Sequence, residues 1–127
     1  MQLTEHHNER QLFVRHADAA SIRVIDREFR SSLILGSATV DEDFAPRRVE
    51  EIDAAAIAKI LAFDPAVVLL GTGARAHFPP QRVLGEFLRR GIGIETMDNA
   101  AAARTFNVLA AEGRRAVAVF LLPGDAP

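Results

Sequence analysis

Val67-Val68-Leu69-Leu70-Gly71-Thr72-Gly73 is an apolar run that breaks off in a glycine loop, and its reading decides the fold. A run of branched aliphatic residues suits a strand buried on both faces, the habit of strands in parallel sheets. The chain continues through Ala74-Arg75-Ala76-His77 and closes on Phe78-Pro79-Pro80. Val83, Leu84, Phe87 and Leu88 then share one helical stripe, with proline ahead of it and Gly91 behind. Ile92-Gly93-Ile94-Glu95 reads as a short strand. Residues 99–112 read as a helix packing Phe106, Leu109 and Ala110, with Gly113 as its C′ residue, and residues 116–122 as a last apolar strand. Strand–helix–strand–helix–strand is two βαβ units, for which parallel pairing and right-handed crossovers are the rule. Parallel strands end on one side, so the loops after Leu70 and Glu95 are predicted to share a rim.

Upstream, Ile57, Ile60 and Leu61 form the stripe of an alanine-rich helix over residues 52–61, which stops before Asp64-Pro65. Earlier still the period is that of β-structure. Ile22 and Val24 alternate with polar neighbours, Phe29 follows a polar Asp26-Arg27-Glu28 turn, and Leu33-Ile34-Leu35 ends at Gly36. Strands so close in sequence predict an antiparallel hairpin or meander. Residues 37–48 have no period and read as a loop anchored by Phe44. The predicted fold is a single three-layer α/β domain over residues 16–122: an N-terminal hairpin or meander, then a βαβαβ core with a mixed sheet. Residues 1–15 are expected to be mostly flexible, and residues 123–127 to be a tail.

Composition narrows the function classes. At 127 residues and 49% hydrophobic, the chain can bury one sizeable core. A net charge of −2 without runs of one sign gives no footing for nucleic acid as a partner. The absence of cysteine removes disulfides, thiolate metal ligands and thiol nucleophiles. No apolar run approaches the roughly 18 residues that span a bilayer, so no membrane insertion is expected. The polar start, with two acids and no hydrophobic region, resembles no signal, and a cytoplasmic location is expected. No metal site is predicted: His6 and His7 fall in the expected tail, His16 is isolated, and His77 has no second ligand at a helical or strand spacing. Asp41-Glu42-Asp43 reads as a solvated acidic loop, and Ser31-Ser32 lacks a nucleophile elbow. Phe13, Phe29, Phe63, Phe87, Phe106 and Phe120 read as core, Phe44 and Phe78 as loop aromatics.

The glycine loop formally matches a relaxed dinucleotide fingerprint, with Glu95 near the ribose-binding distance. Phe78-Pro79-Pro80, however, delays the helix whose dipole would face a pyrophosphate, and no cofactor is predicted. A looser site is. Gly71, Thr72 and Gly73 supply a tight backbone, Arg75 and His77 positive charge, Asp98 and Asn99 open the next helix, and Arg104 and Asn107 lie on one flank of it. These nine could hold a small anion or a partner's carboxylate. The alternative is purely structural: glycines for a turn, Asp98 or Thr96 for a helix cap, and Arg104 for a local ion pair with Glu95 or Asp98. No complete catalytic set accompanies either reading.

The glycine loop, Phe78-Pro79-Pro80, the stretch from Gly91 to Asp98, and Arg104-Thr105-Phe106-Asn107 leading to Glu112-Gly113-Arg114-Arg115 together resemble one known family. It is the small bacterial and archaeal domain that also occurs in the mitochondrial NADH:ubiquinone oxidoreductase (complex I) assembly factor 3 and in adipogenesis-associated domain-containing proteins. The resemblance implies a compact α/β fold with a mixed sheet, no established enzymatic activity, and action through protein contacts. This chain has Ala103 where the family commonly has cysteine, and Phe106 where it has tyrosine, which points to packing and binding rather than catalysis. The expected function is therefore a non-enzymatic interaction or assembly-type domain with a protein partner. Binding or turnover of a small anion or carboxylate in the same cleft is the alternative.

Overall fold

A computed structural model describes residues 11–123. The N-terminal meander is a small sheet of β1 (Val14–Ala17), β2 (Ile22–Val24) and β3 (Arg27–Phe29), antiparallel in the order β1-β2-β3. The main sheet is mixed and contains β4 (Leu33–Leu35), β5 (Val40–Asp41), β6 (Val67–Gly71), β7 (Gly93–Met97) and β8 (Ala116–Phe120), in the order β5-β4-β8-β6-β7. Its helices are α1 (Ala54–Leu61), α2 (Gln81–Leu88) and α3 (Asn99–Ala111).

The decisive run is the middle of this arrangement. β6 pairs in parallel with β7 on one side, Val67 opposite Gly93, and with β8 on the other, Val67 opposite Ala116. Val68, Leu69 and Leu70 are buried because both faces of the sheet are covered. Leu69, Ala118 and Phe120 pack with Phe106 and Ala102 of α3 and with Ile22, Val24 and Phe29 of the small sheet. Val68, Leu70, Val117 and Val119 pack with Ile57 and Ile60 of α1, Val83 and Phe87 of α2, and Phe44. Two apolar layers therefore sandwich one sheet, giving the three layers that the sequence predicts.

Local chemistry sets the helix ends. The carboxylates of Asp53 and Asp98 accept from the N–H groups of Ala56 and Ala101, at 2.9 and 2.7 Å, each cap contributing about 1 kcal/mol. Gly113 takes φ 78° just past α3, a conformation that side chains disfavour.

Several local expectations are corrected. Leu33-Ile34-Leu35 does not join the meander; as β4 it crosses to the main sheet and pairs antiparallel with β8, Leu33 opposite Phe120. Burial of all three side chains needs a covered sheet, which the three-stranded meander lacks. The polar turn between β2 and β3 falls at Ile25-Asp26, with Ile25 at φ 55°, and Arg27 already pairs with Val24. Residues 37–48 contain β5, too short to leave a period. From Gln11 onward the chain is held rather than loose. The Gln11 side chain donates to the Ala110 carbonyl, and Leu12 N–H to the Ser37 carbonyl at 2.8 Å. The remainder of the expected flexible start, and the tail after Pro123, lie outside the described residues. Phe13 is 40% exposed rather than core, off the edge of the small sheet, with the Arg15 guanidinium 5.0 Å from its ring centre. Phe63 is half-buried, and Phe44 is a buried lid. The acidic stretch is paired rather than merely solvated. Glu42 meets Arg27 at 2.7 Å, and Lys59 reaches Asp41 at 3.3 Å.

Candidate functional site

The exits of the parallel strands meet. Thr72 N–H donates to Met97 O at 3.0 Å, Asn99 N–H to Gly73 O at 2.8 Å, and Leu121 N–H to Gly71 O at 2.9 Å, so the ends of β6, β7 and β8 are stitched into one rim. β5 contributes to the same rim. It runs antiparallel to β4, which runs antiparallel to β8, so β5 points the way β6 points and delivers residues 42–51 to that side. A short 3-10 turn, Val49–Glu51, ends this strap before α1.

Thr72 fixes the loop. Its buried hydroxyl donates to Arg75 O at 2.5 Å and accepts from His77 N–H at 2.9 Å, bridging the two ends of the turn. Gly73 sits at φ 101° under Pro123. Gly71 is glycine for a different reason: it is the last residue of a strand, where no turn is needed. A Cβ there would stand 2.4 Å from Asn99 Oδ1 and 3.3 Å from Asn99 Cα. Asn99 has no room to yield, because it is fully buried and its Nδ2 donates to two carbonyls, Asp18 O and Leu121 O, each at 3.0 Å. Two acceptors dictate which end of the amide faces them, and Oδ1 is left against Gly71 without a partner. One side chain thus joins the small sheet, the exit of β8 and the glycine loop.

A cleft of about 480 Å³ opens on the other side of the loop. Thr72, Ala74, Arg75 and His77 form one wall, Arg47, Arg48, Val49 and Glu50 of the strap the other, and Ala19 and Pro123 its edges. Of the nine residues singled out from sequence, Thr72, Arg75 and His77 line this cleft, and Gly71 and Gly73 shape its loop. The remaining four turn elsewhere. Asp98 caps α3. Asn99 is the buried clamp. Asn107 exchanges two hydrogen bonds with Val14, Oδ1 accepting from its N–H and Nδ2 donating to its carbonyl, both at 2.9 Å, and so pins β1 to α3. Arg104 is exposed on α3 and forms an ion pair with neither Glu95 nor Asp98.

Sequence reasoning missed Arg47 and Arg48 because the strap has no period and its strand is two residues long. The signal that could have found them is the adjacent arginine pair behind Pro46. Arg47 is anchored: its guanidinium donates to Pro123 O at 2.8 Å and to Leu122 O at 3.4 Å. At the cleft's edge, Asp18 closes the β1–β2 turn. Hydrogen bonds from His16, Ala20 N–H and Ser21 N–H hold its carboxyl at about 2, below the usual carboxylate range. Among the described residues, no group of three or more His, Asp or Glu side chains could hold a metal ion, and no helix is long and apolar enough to cross a membrane.

Residues 14–121 match the family described as "Protein of unknown function (DUF498/DUF598)". The solution structure of XCC1710 from Xanthomonas campestris superposes with a TM-score of 0.86 at 39% identity, covering 100% of this chain and 96% of that one. "NADH dehydrogenase [ubiquinone] 1 alpha subcomplex assembly factor 3" of Danio rerio is 44% identical over 57 residues, 45% of this chain and 33% of that protein. The "13 kDa major membrane protein" of Francisella tularensis is 29% identical over 62 residues, 49% of this chain and 50% of that protein. The chain spans between 33% and 61% of the length of the curated relatives it matches.

Proposed function

The chain belongs to the DUF498/DUF598 family, and on that footing we propose that it is a non-enzymatic, assembly-type interaction domain that docks a protein partner on the glycine-loop rim. The observation that carries this reading is Phe78. It is 80% exposed at the end of a loop that Thr72 ties down, immediately after the cleft-lining residues Arg75 and His77. A large aromatic held in water close to an arginine has the composition of an interface anchor. The assembly factor among the relatives supports the same direction. Three arginines line the cleft, seven others are paired with acids elsewhere, and the net charge is −2, so the partner sought is a protein rather than nucleic acid. The test is a photo-crosslinking residue at position 78 in cells, with position 111 on the exposed end of α3 as control. One defined protein adduct at 78, absent at 111 and lost in Arg75→Glu, is expected. Equal adduct patterns at both positions would end the reading.

The cleft itself favours a second reading, a small anion or carboxylate held without a protein partner. Turnover has less support, since no described side chain hydrogen-bonds the His77 ring to orient it as an acid or base. Thermal-shift screening with phosphates, nucleotides and carboxylates separates the readings: a ligand at 100 times its Kd stabilises by about 2.7 kcal/mol.

A further inference from the structure

The charges within the cleft do not balance. Three arginines line it against one acid, Glu50, a surplus of two positive charges with His77 counted as neutral. Arg47 spends its hydrogen bonds on the carbonyls of Leu122 and Pro123, which fix the guanidinium without cancelling its charge. Arg48 and Arg75 make no ion pair and no side-chain hydrogen bond to any described residue. The arginines paired elsewhere, Arg23, Arg27, Arg30, Arg89, Arg90, Arg114 and Arg115, all have acids within 4.0 Å. The backbone adds donors. Among the described residues the N–H groups of Ala74, Arg75 and Ala76 find no acceptor, although the flanking N–H groups of Thr72 and His77 do. The unpaired Arg48 guanidinium is on one wall, the Arg75 guanidinium and the loop carrying these N–H groups are on the other, and both walls are anchored, one by Thr72 and one by Arg47.

We infer that this cleft is a binding site for a doubly charged oxyanion, a phosphoryl group or a pair of neighbouring carboxylates, gripped between Arg48 and Arg75. A dianion neutralises the surplus. Its several oxygens match planar guanidinium forks, which bind such groups in bidentate fashion. Monovalent halide offers one centre and no such match. The inference rests on the proposed docking reading only for the location of the site. Whether the anion is free in solution or carried on a partner, the chemistry recognised is the same.

The experiment is a 15N NMR titration of the full chain with inorganic phosphate, with succinate, and with a short Asp-Asp peptide, at fixed ionic strength against chloride. Saturable shifts of the Ala74, Arg75 and Ala76 amides are expected. Arg48→Ala and Arg75→Ala should each weaken binding at least tenfold while the rest of the spectrum stays in place. Glu50→Gln should tighten it about threefold, and Arg89→Ala, just past α2, should change nothing. Tighter binding of phosphate identifies a free or esterified phosphoryl ligand. Tighter binding of the peptide, sensitive to the same variants, identifies a partner's carboxylates. Shifts reproduced by chloride, indifference to Arg48→Ala and Arg75→Ala, or no saturable response to any of the three would overturn the inference. Equal adduct patterns at positions 78 and 111 with anion binding intact would instead remove the docking reading alone.

Discussion

The glycine loop has two flanks built from similar polar residues, and they do opposite things. On the α3 side, Asp98, Asn99 and Asn107 bond to backbone: Asp98 accepts from the Ala101 N–H, Asn99 donates to two carbonyls, and Asn107 engages both polar groups of Val14. Apart from the exposed Arg104, that flank is sealed, and these three polar side chains act as structural clamps. On the strap side, Arg48 and Arg75 have no partner among the described residues, and Phe78 stands in water. A polar residue at the end of a parallel sheet is therefore not a site by position alone. What separates a clamp from a site is whether its hydrogen bonds are already made.

The sharpest way to break this contrast is at Gly71. Gly71→Ala forces a methyl group onto Asn99 and is expected to destabilise by about 3 kcal/mol or more, since the obstacle includes backbone. Asn99→Ala strands the carbonyls of Asp18 and Leu121 and should cost a similar amount, about 3 kcal/mol. The two residues share one obstruction, so the double variant should lose at least about 1 kcal/mol less than the sum of the single variants. Urea unfolding of the four proteins checks this; strict additivity would show that the contact does not shape the loop. Next in size, Thr72→Val removes one donor and one acceptor from the turn. It should cost about 1–2 kcal/mol and raise amide exchange over residues 73–77. The cleft arginines mark the other pole. Arg48→Ala and Arg75→Ala should stay within about 0.5 kcal/mol of the parent in the same unfolding experiment, because nothing in the described fold depends on them. A loss above that value would make them clamps too.

The same contrast explains what sequence could and could not reveal. Val67 to Leu70, the alternating helices and Gly113 follow from period and backbone preference, so the parallel core and its shared rim were legible. The site was half legible. The loop residues Thr72, Arg75 and His77 belong to the rim through topology, which the βαβ pattern determines. Whether Asn99 and Asn107 turn inward depends on the small sheet packed over α3, and nothing in their spacing shows that sheet's position. Arg47 and Arg48 were invisible because a two-residue strand carries no period, yet β5's direction alone brings them to the rim. Leu33-Ile34-Leu35 shows how proximity in sequence can mislead: three consecutive buried side chains outweighed the convenience of a hairpin.

The smallest expected effect tests where the sealed flank ends. Asp18 lies at the boundary, its carbonyl held by Asn99 and its carboxylate capping the turn beside Ala19. Hydrogen bonds from His16 and then from two backbone amides hold its carboxyl at about 2, against an ordinary value of 3.8. A carboxyl depressed in the folded state stabilises fully above the ordinary value. That contribution shrinks as pH falls below 3.8 and is gone once pH has passed below about 2. With the side chain 52% exposed, solvent screening limits the effect to a few tenths of a kcal/mol, as for other surface pairs. Asp18→Asn keeps an oxygen for the turn but cannot titrate, so the difference in stability between it and the parent should narrow as pH falls from 4 to 2. Chemical unfolding at those two pH values measures it. A gap that stays constant would mean that the turn is held by its backbone geometry, and that the clamped region ends at Asn99.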